Sequence, residues 1–175
     1  MARLTRIAVA LVLALAGCGQ QQSSTNLTAL DVEEAGASSN LALAGLVTDA
    51  AGVIAPDQKQ ALTAKLAKFE ADTKHQMVIV TVPSLGGEDV AKFTLKLANR
   101  WGIGRKGYND GVVLLVAPSE HKVRIEVGRG LESILTNELC AQIMADKLLP
   151  RFKAGDMFGG IDAGTDALIG KLQNQ

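Results

Sequence analysis

The residues best suited to chemistry fall in two short runs. Asn109-Asp110-Gly111 stands directly before the apolar run Val112–Ala117, and Gly128-Arg129-Gly130-Leu131-Glu132 follows the alternating run Lys122–Val127. Pro118-Ser119-Glu120-His121 between them reads as a tight turn, so the two apolar runs form a hairpin. Pairing Ala117 with Lys122 then sets Asp110 opposite Arg129 and gathers Asn109, Asp110, Glu132, Arg105, Lys106 and Arg129 at one end of a sheet. Oxygen donors such as Asn109, Asp110 and Glu132 suit a hard divalent cation, Ca²⁺ or Mg²⁺, and Arg105, Lys106 and Arg129 suit a phosphate. In this register Glu126 falls on the opposite sheet face from Asp110, which makes it a weaker ligand candidate. Asp49 joins the group only if the first strand runs antiparallel to the third; a simple right-handed crossover sends it to the other edge. The same residues admit a plainer arrangement, in which Asp110 pairs with Arg129 and Asn109-Asp110-Gly111 is turn chemistry. Spacing alone leaves both open.

Other chemistries have no foothold. Gly102-Ile103-Gly104-Arg105-Lys106-Gly107 spells G-x-G-x-x-G, but it follows a helix and precedes a strand, the reverse of a dinucleotide loop. In Gly128-Arg129-Gly130 the third glycine is replaced by Ser133. Cys140 has Asp146, not an arginine, six residues on, so no cysteine-phosphatase loop is present. It sits in an apolar helical stretch, as a buried structural thiol does. His75 and His121 fall near a helix end and in a turn and read as solvated, and no Ser-His-Asp set can be assembled.

The elements that must position the two runs follow from periodicity. Leu46–Asp49 is a short first strand. Pro56 suits the first position of a helix, with Asp57 in its first turn, and Leu62, Leu66, Phe69 and Thr73 share one face. Gln76–Val82 is a β-branched strand stopped by Pro83. Val90, Phe93, Leu97, Ala98 and Trp101 form one face of a second helix, with the Trp101 ring packed at its end. Val112–Ala117 is apolar at every position, as a strand buried on both faces requires, whereas Lys122–Val127 alternates as a half-exposed edge strand does. Thr136 caps a third helix limited by Pro150, and a last helix covers Met157–Leu172. The order β-α-β-α-β-β-α-α predicts an α/β fold, a small three-layer α/β/α sandwich with a mixed sheet, parallel except for the hairpin.

Composition bounds the rest. The 175 residues suffice for one domain, and 18 basic residues balance 18 acidic ones. With no basic excess and six aromatic residues, neither phosphate-backbone binding nor base stacking is expected, hence no nucleic acid. Two cysteines and two histidines exclude a Cys/His zinc module. At the start of the chain, Arg3 and Arg6 precede the eleven-residue apolar run Ile7–Gly17, well short of the roughly 20 residues that span a bilayer. The run ends in Leu15-Ala16-Gly17-Cys18, which resembles a bacterial lipobox. This predicts a signal peptide over residues 1–17 and acylation of Cys18, an anchor that takes several acyl chains to be lasting. Removing residues 1–17 takes away Arg3 and Arg6, leaving 16 basic residues against 18 acidic ones, a net charge of −2. The stretch to residue 44, rich in Gln, Ser, Asn, Thr and Ala, reads as a flexible tether reaching about 25–30 Å, and residues 45–175 as the folded domain.

Four ordered motifs carry a resemblance. Val47-x-Asp49-x-Ala51-Gly52, Trp101-Gly102-Ile103-Gly104, Asn109-Asp110-Gly111 with its apolar strand, and Arg124-Ile125-Glu126-Val127-Gly128-Arg129-Gly130-Leu131-Glu132 resemble the TPM domain across residues 45–173. The resemblance implies an α/β/α sandwich of the kind found in thylakoid-lumen photosystem II repair proteins, a nematode acetylcholine-receptor accessory protein and bacterial envelope proteins. Some members bind calcium, and acid phosphatase activity is attributed to some plant members. The acidic positions it carries over are Asp49, Asp110, Glu126 and Glu132. Many bacterial relatives continue into a membrane helix and a Gly/Ser-rich tail, where this chain is expected to rely on its lipid anchor.

The expected protein is therefore a lipoprotein on the extracytoplasmic face of a cell-envelope membrane. It serves as an accessory module for membrane-protein maintenance and partners a membrane protein, with a divalent cation, calcium by resemblance, as cofactor; the alternative is a metal-dependent acid phosphatase acting on phosphomonoesters. Cys18→Ser removes the acyl attachment atom and should leave unprocessed or soluble protein, read by mature mass and membrane fractionation. Unchanged mass and partitioning would remove the lipid anchor.

Overall fold

A computed structural model of the chain describes residues 41–174. The signal segment, Cys18 and the tether as far as residue 40 lie outside the described residues. In chain order the elements are β1 (Val47–Asp49), α1 (Pro56–Thr73), β2 (Gln76–Thr81), α2 (Val90–Trp101), β3 (Gly111–Ala117), β4 (Lys122–Val127), a 3₁₀ turn (Arg129–Leu131), α3 (Asn137–Ile143), a π turn (Met144–Leu148), α4 (Leu149–Lys153) and α5 (Met157–Gln173). The strands lie in the order β1-β2-β3-β4. β1 pairs with β2 and β2 with β3 in parallel; β3 and β4 are antiparallel, with Ala117 opposite Lys122 as the turn requires. The fold is the α/β sandwich with a mixed sheet that the element order predicts.

Every residue of β3 is buried, and its side chains alternate between two cores. Val112, Leu114 and Val116 join Ile79 and Met77 against Leu62, Leu66 and Phe69 of α1 and the helices after residue 136. Val113, Leu115 and Ala117 join Val78 and Val80 against Phe93 and Leu97 of α2. A strand apolar at every position can only be central, because each face must meet a helix layer. The α2 layer holds one helix among the described residues, and it leaves the outer face of β4 partly open: Arg124 and Glu126 are half-buried there.

Helix ends follow local chemistry. Asp89 caps α2 by accepting from the amides of Ala91 and Lys92, both at 3.1 Å, and Thr136 caps α3 by accepting from Leu139 N at 3.2 Å. Gly102 closes α2 in the left-handed conformation, φ 62°. Pro150 does not end the third helix as the sequence suggests. The helix widens into the π turn, with Leu149 N bonded to Met144 O, and runs on to Lys153. The extra residue in that turn relieves the clash that a proline ring makes with the preceding turn and absorbs its missing N–H.

The domain also claims residues just before β1. The indole Nε1 of Trp101 donates to Leu41 O at 3.1 Å, and Leu41 packs against the α2-side core. Ala44 N donates to Thr48 Oγ1 at 3.0 Å. Trp101 is half-buried rather than sealed. Trp101→Ala should therefore cost less than the roughly 3–5 kcal/mol of a fully buried tryptophan, about 2 kcal/mol. A urea midpoint equal to that of the natural chain would show that the ring contributes no packing.

Candidate functional site

The loop that feeds β3 is fastened at almost every residue. Ile103 N bonds Ala98 O at 3.1 Å, and Gly104 N bonds Gln76 Oε1 at 2.7 Å. Asp110 then draws the loop onto itself. Its Oδ1 accepts from Arg105 N at 2.7 Å, and its Oδ2 accepts from Arg105 Nε at 2.7 Å and Nη2 at 2.6 Å. His75 Nδ1 lies 3.3 Å from the same Oδ2. The Arg105 guanidinium also stacks over the Tyr108 ring, 4.2 Å from its centroid. Asp110 is 3% exposed, so its carboxylate faces protein rather than solvent.

Four glycines of the motifs let two loops touch backbone to backbone. A Cβ on Gly128 would stand 2.1 Å from Asn109 O, and one on Gly130 would stand 2.0 Å from Tyr108 O. Gly104 and Gly111 block each other in the same way: a Cβ on Gly111 would lie 2.5 Å from Ile103 O. The approach is sealed by Gly128 N to Gly111 O at 2.8 Å and Gly130 N to Asn109 O at 3.0 Å. The glycines thus fix how the 102–110 loop meets the 128–132 segment, and no phosphate cradle needs to be invoked for them.

The structure sorts the acidic candidates. Because β1 is parallel to β2 and β3, Asp49 ends up at the opposite end of the sheet from Asp110, and the antiparallel placement that would have brought it into the group does not occur. Its carboxylate accepts from Val53 N at 3.1 Å, Ile54 N at 3.0 Å and the Thr81 hydroxyl, so it braces the β1–α1 loop. Asp110 and Arg105 are committed to each other, and Asp110 does not pair with Arg129 as the plainer arrangement supposed. Lys106 is exposed on the loop. Glu126, Glu132, Asn109 and Arg129 share one lining. They line an open cleft of about 560 Å³ beside α2, walled by Leu95, Ala98 and Asn99. Glu126 faces this cleft because it stands opposite Val113, on the α2 side of the sheet. The parity that separates it from Asp110 is what admits it. One contact limits it: Arg124 Nε and Nη2 donate to Glu126 Oε2 at 3.0 and 2.9 Å.

Two residues carry more than the sequence suggested. His75 is not a free solvated histidine but packs beside Asp110 and against Phe69, with ring centroids 6.4 Å apart. Gln76 joins two elements, donating to Glu70 Oε1 at 3.2 Å while accepting from Gly104 N. Both were open to inference once β2 and β3 are set parallel, since Gln76 then faces Gly111 and His75 precedes it as Asp110 precedes Gly111. Cys140 is buried as expected; loss of solvent pushes its thiol pKa up, which disqualifies it as a nucleophile.

Loss of solvent alone would raise the Asp110 pKa. The side-chain and backbone hydrogen bonds from Arg105, with His75 beside them, outweigh it and hold the carboxyl below its ordinary 3.8. A carboxyl depressed by folding contributes stability above its unfolded pKa, and that stability is lost as pH falls through the lower folded value. Asp110→Asn should therefore flatten the acid limb of the stability profile below about pH 4. Removing one partner of a buried pair costs roughly 3–5 kcal/mol, and because Arg105 is 39% exposed the loss at neutral pH should be near the lower figure, about 3 kcal/mol. Urea unfolding of both chains from pH 2.5 to 7 checks this; parallel profiles would remove the linkage.

Comparison with known proteins matches this arrangement to a family. The TPM domain family matches residues 47–171, which takes in the whole sheet, both loops of the cleft and most of α5. No functionally curated protein matches the chain. Among solved structures, the N-terminal domain of a Porphyromonas gingivalis (P.gingivalis) protein, determined by solution NMR, is 34% identical, covers 73% of this chain and 82% of its own, and superposes with a TM-score of 0.69. Two more distant NMR structures share the fold. The N-terminal domain of cg2496 from Corynebacterium glutamicum is 16% identical over 74% of this chain and 80% of its own, TM-score 0.57. BA42 from the psychrophilic bacterium Bizionia argentinensis is 14% identical over 68% of this chain and 81% of its own, TM-score 0.60. The four glycine-bearing and acidic motifs all fall inside the matched span, and the chain belongs to the TPM domain family.

Proposed function

We propose that this protein is a lipid-anchored envelope module whose TPM domain binds a divalent cation, calcium by ligand type, in the cleft between α2 and β4, and that it serves as an accessory factor for membrane proteins. The observation that carries the reading is the convergence of Glu126, Glu132 and Asn109 in one solvent-open cleft. The donors are all oxygen, as a hard cation prefers, and water would supply the rest of six to eight ligands. The donor set is sparse: among the described residues no group of three or more His, Cys, Asp and Glu side chains is close enough to hold a metal by itself. A weak, water-rich site follows, of the kind tuned to the high calcium of extracytoplasmic spaces. Asp110 does not ligate here. It positions the loop that presents Asn109, whose backbone is held at φ 52°.

The membrane part of the proposal rests on the lipobox-like Leu15-Ala16-Gly17-Cys18 and on family membership. Among the described residues no helix is long and apolar enough to cross a membrane.

Arg129 favours a second reading. It lines the same cleft as the two glutamates and carries a charge suited to a phosphomonoester. That reading is a metal-dependent acid phosphatase, and the cation would supply the activated water, because the buried Cys140 cannot attack. Hydrolysis of a generic phosphomonoester with and without chelator separates the two.

The cation itself is tested by melting the chelator-stripped chain in millimolar Ca²⁺. An ion at 100 times its dissociation constant stabilises the fold by about 2.7 kcal/mol. Glu126→Gln combined with Glu132→Gln should abolish the rise and lower the ion-free melting temperature only modestly, by the loss of the Arg124–Glu126 ion pair. Asp110→Asn should lower the ion-free value and keep the rise. A rise that survives the double glutamine variant would move the cation elsewhere.

A further inference from the structure

β4 is an open edge of the sheet, and its sequence decides what can pair with it. Gly128 N bonds Gly111 O, so Lys122, Arg124 and Glu126 are the residues whose backbones bond β3. The N–H and C=O groups of Val123, Ile125 and Val127 point outward, and none of them has a hydrogen-bond partner among the described residues. An open groove of about 380 Å³ runs along Arg124–Val127, with Glu132 and the start of α3 as its other bank. Side chains alternate along the strand. Lys122, Arg124 and Glu126 stand on the α2 face, and Val123, Ile125 and Val127 stand on the opposite, apolar face. Leu95, 48% exposed, lies on the same flank of α2, lining the cleft with Glu126.

We propose that a second copy of this chain pairs with that edge, β4 against β4 in antiparallel, about a two-fold axis at Ile125. The outward groups and the charges together select the register. With Ile125 opposite Ile125 of the second copy, Val123 meets Val127 on both sides of the axis, and every outward N–H and C=O of the two edges is paired. Arg124 of each copy then stands opposite Glu126 of the other. Those are the closer, non-hydrogen-bonded positions, where cross-strand charges act most strongly. The two neighbouring registers that keep the backbones paired set Arg124 against Arg124 or Glu126 against Glu126, and like charges directly opposite oppose pairing. Within one copy Arg124 already holds Oε2 of Glu126, so Oε1 remains for the second copy's Arg124. Charged side chains on an edge strand ordinarily guard it against other strands. The order Arg124-Ile125-Glu126 lifts that guard for one partner, this strand itself. On the other face Val123, Ile125 and Val127 form β-branched cross-strand pairs, and the second copy covers the flank of α2 that carries Leu95. The inference does not rest on the cation reading, although Glu126 serves both, so its test is run in chelator.

The test is sedimentation equilibrium of the purified full chain in density-matched detergent and chelator, from micromolar to near-millimolar protein. Amide hydrogen exchange is read by NMR over the same range. A dimer should form, and the amides of Val123, Ile125 and Val127 should exchange more slowly as it does, because those N–H groups gain partners only across the joint. Arg124→Glu sets like charges opposite each other and should raise the dimer dissociation constant by at least about tenfold. Arg124→Glu combined with Glu126→Arg restores opposite charges in the reverse order and should bring the constant back to within about threefold of its natural value. Val123→Pro removes one outward N–H without touching a bond to β3 and should also weaken the dimer. The same spectra check that each variant is folded. A full chain that stays monomeric would overturn the proposal. So would a dimer whose three amides exchange as fast as in the monomer, or a folded charge-swapped chain with no recovery.

Discussion

The constraint on which the rest of this structure depends is the closeness of two backbones at the entry to β3. Residues 104 and 111, and residues 128 and 130 against 108 and 109, approach so nearly that no side chain fits between them. Such proximity is tolerable only if the carbonyls and amides brought together are paired, and Gly128 N and Gly130 N meet that condition. It also needs a force to hold the outer loop down, because a glycine-rich segment loses much conformational entropy on ordering. Asp110 supplies that force. One carboxylate gathers the backbone amide and the guanidinium of Arg105, and the guanidinium in turn pins Tyr108. The loop, the start of β3 and the end of β4 then behave as one rigid corner.

That corner decides which side chains are available for function. An acid whose oxygens accept several internal hydrogen bonds cannot ligate an ion without giving them up. By this measure Asp110, with three bonds to Arg105 and His75 nearby, and Asp49, with two amides and a hydroxyl, are structural. Glu126 answers only to Arg124, a neighbour on the same face of an edge strand, and both bonds go to Oε2. Glu132 is exposed at the end of the 3₁₀ turn. Of the four acids, Glu132 is the one the fold leaves exposed, and Glu126, which sequence patterning ranks lower, shares its cleft.

Much of this was legible before any coordinates. Fully apolar β3 announces a central strand, and the alternation of Lys122–Val127 announces an edge; together with the turn they fix the hairpin register, from which the facing of Glu126 follows. The cap at Thr136 was equally open, since its side chain does a single local job. What sequence could not give was the partner of Asp110. Register places Arg129 opposite it, yet Arg105, five residues earlier, reaches the carboxylate first because the loop doubles back. Loop curvature of that sort depends on the positive φ of Gly104, Gly107 and Asn109, which spacing does not encode. The passage of a helix through Pro150 was hidden for a similar reason: a π turn leaves no compositional mark.

The two ends of β3 and β4 therefore differ in kind, and the sheet itself produces the difference. At the end where Asp110 sits, the strands open onto glycine loops that cannot carry side chains inward, so polar groups on their outer rim face water beside a single covering helix. At the other end the hairpin turn is short and the chain returns at once, so the α4–α5 corner closes over exposed strand ends with Phe152 and Met157. A polar cleft and an apolar hole are thus held about the length of a strand apart, roughly 20 Å for six or seven residues. Neither can move without the central strand, because β3 packs against both helix layers along its whole length. A ligand at either end gains a preformed surface and pays little to order it.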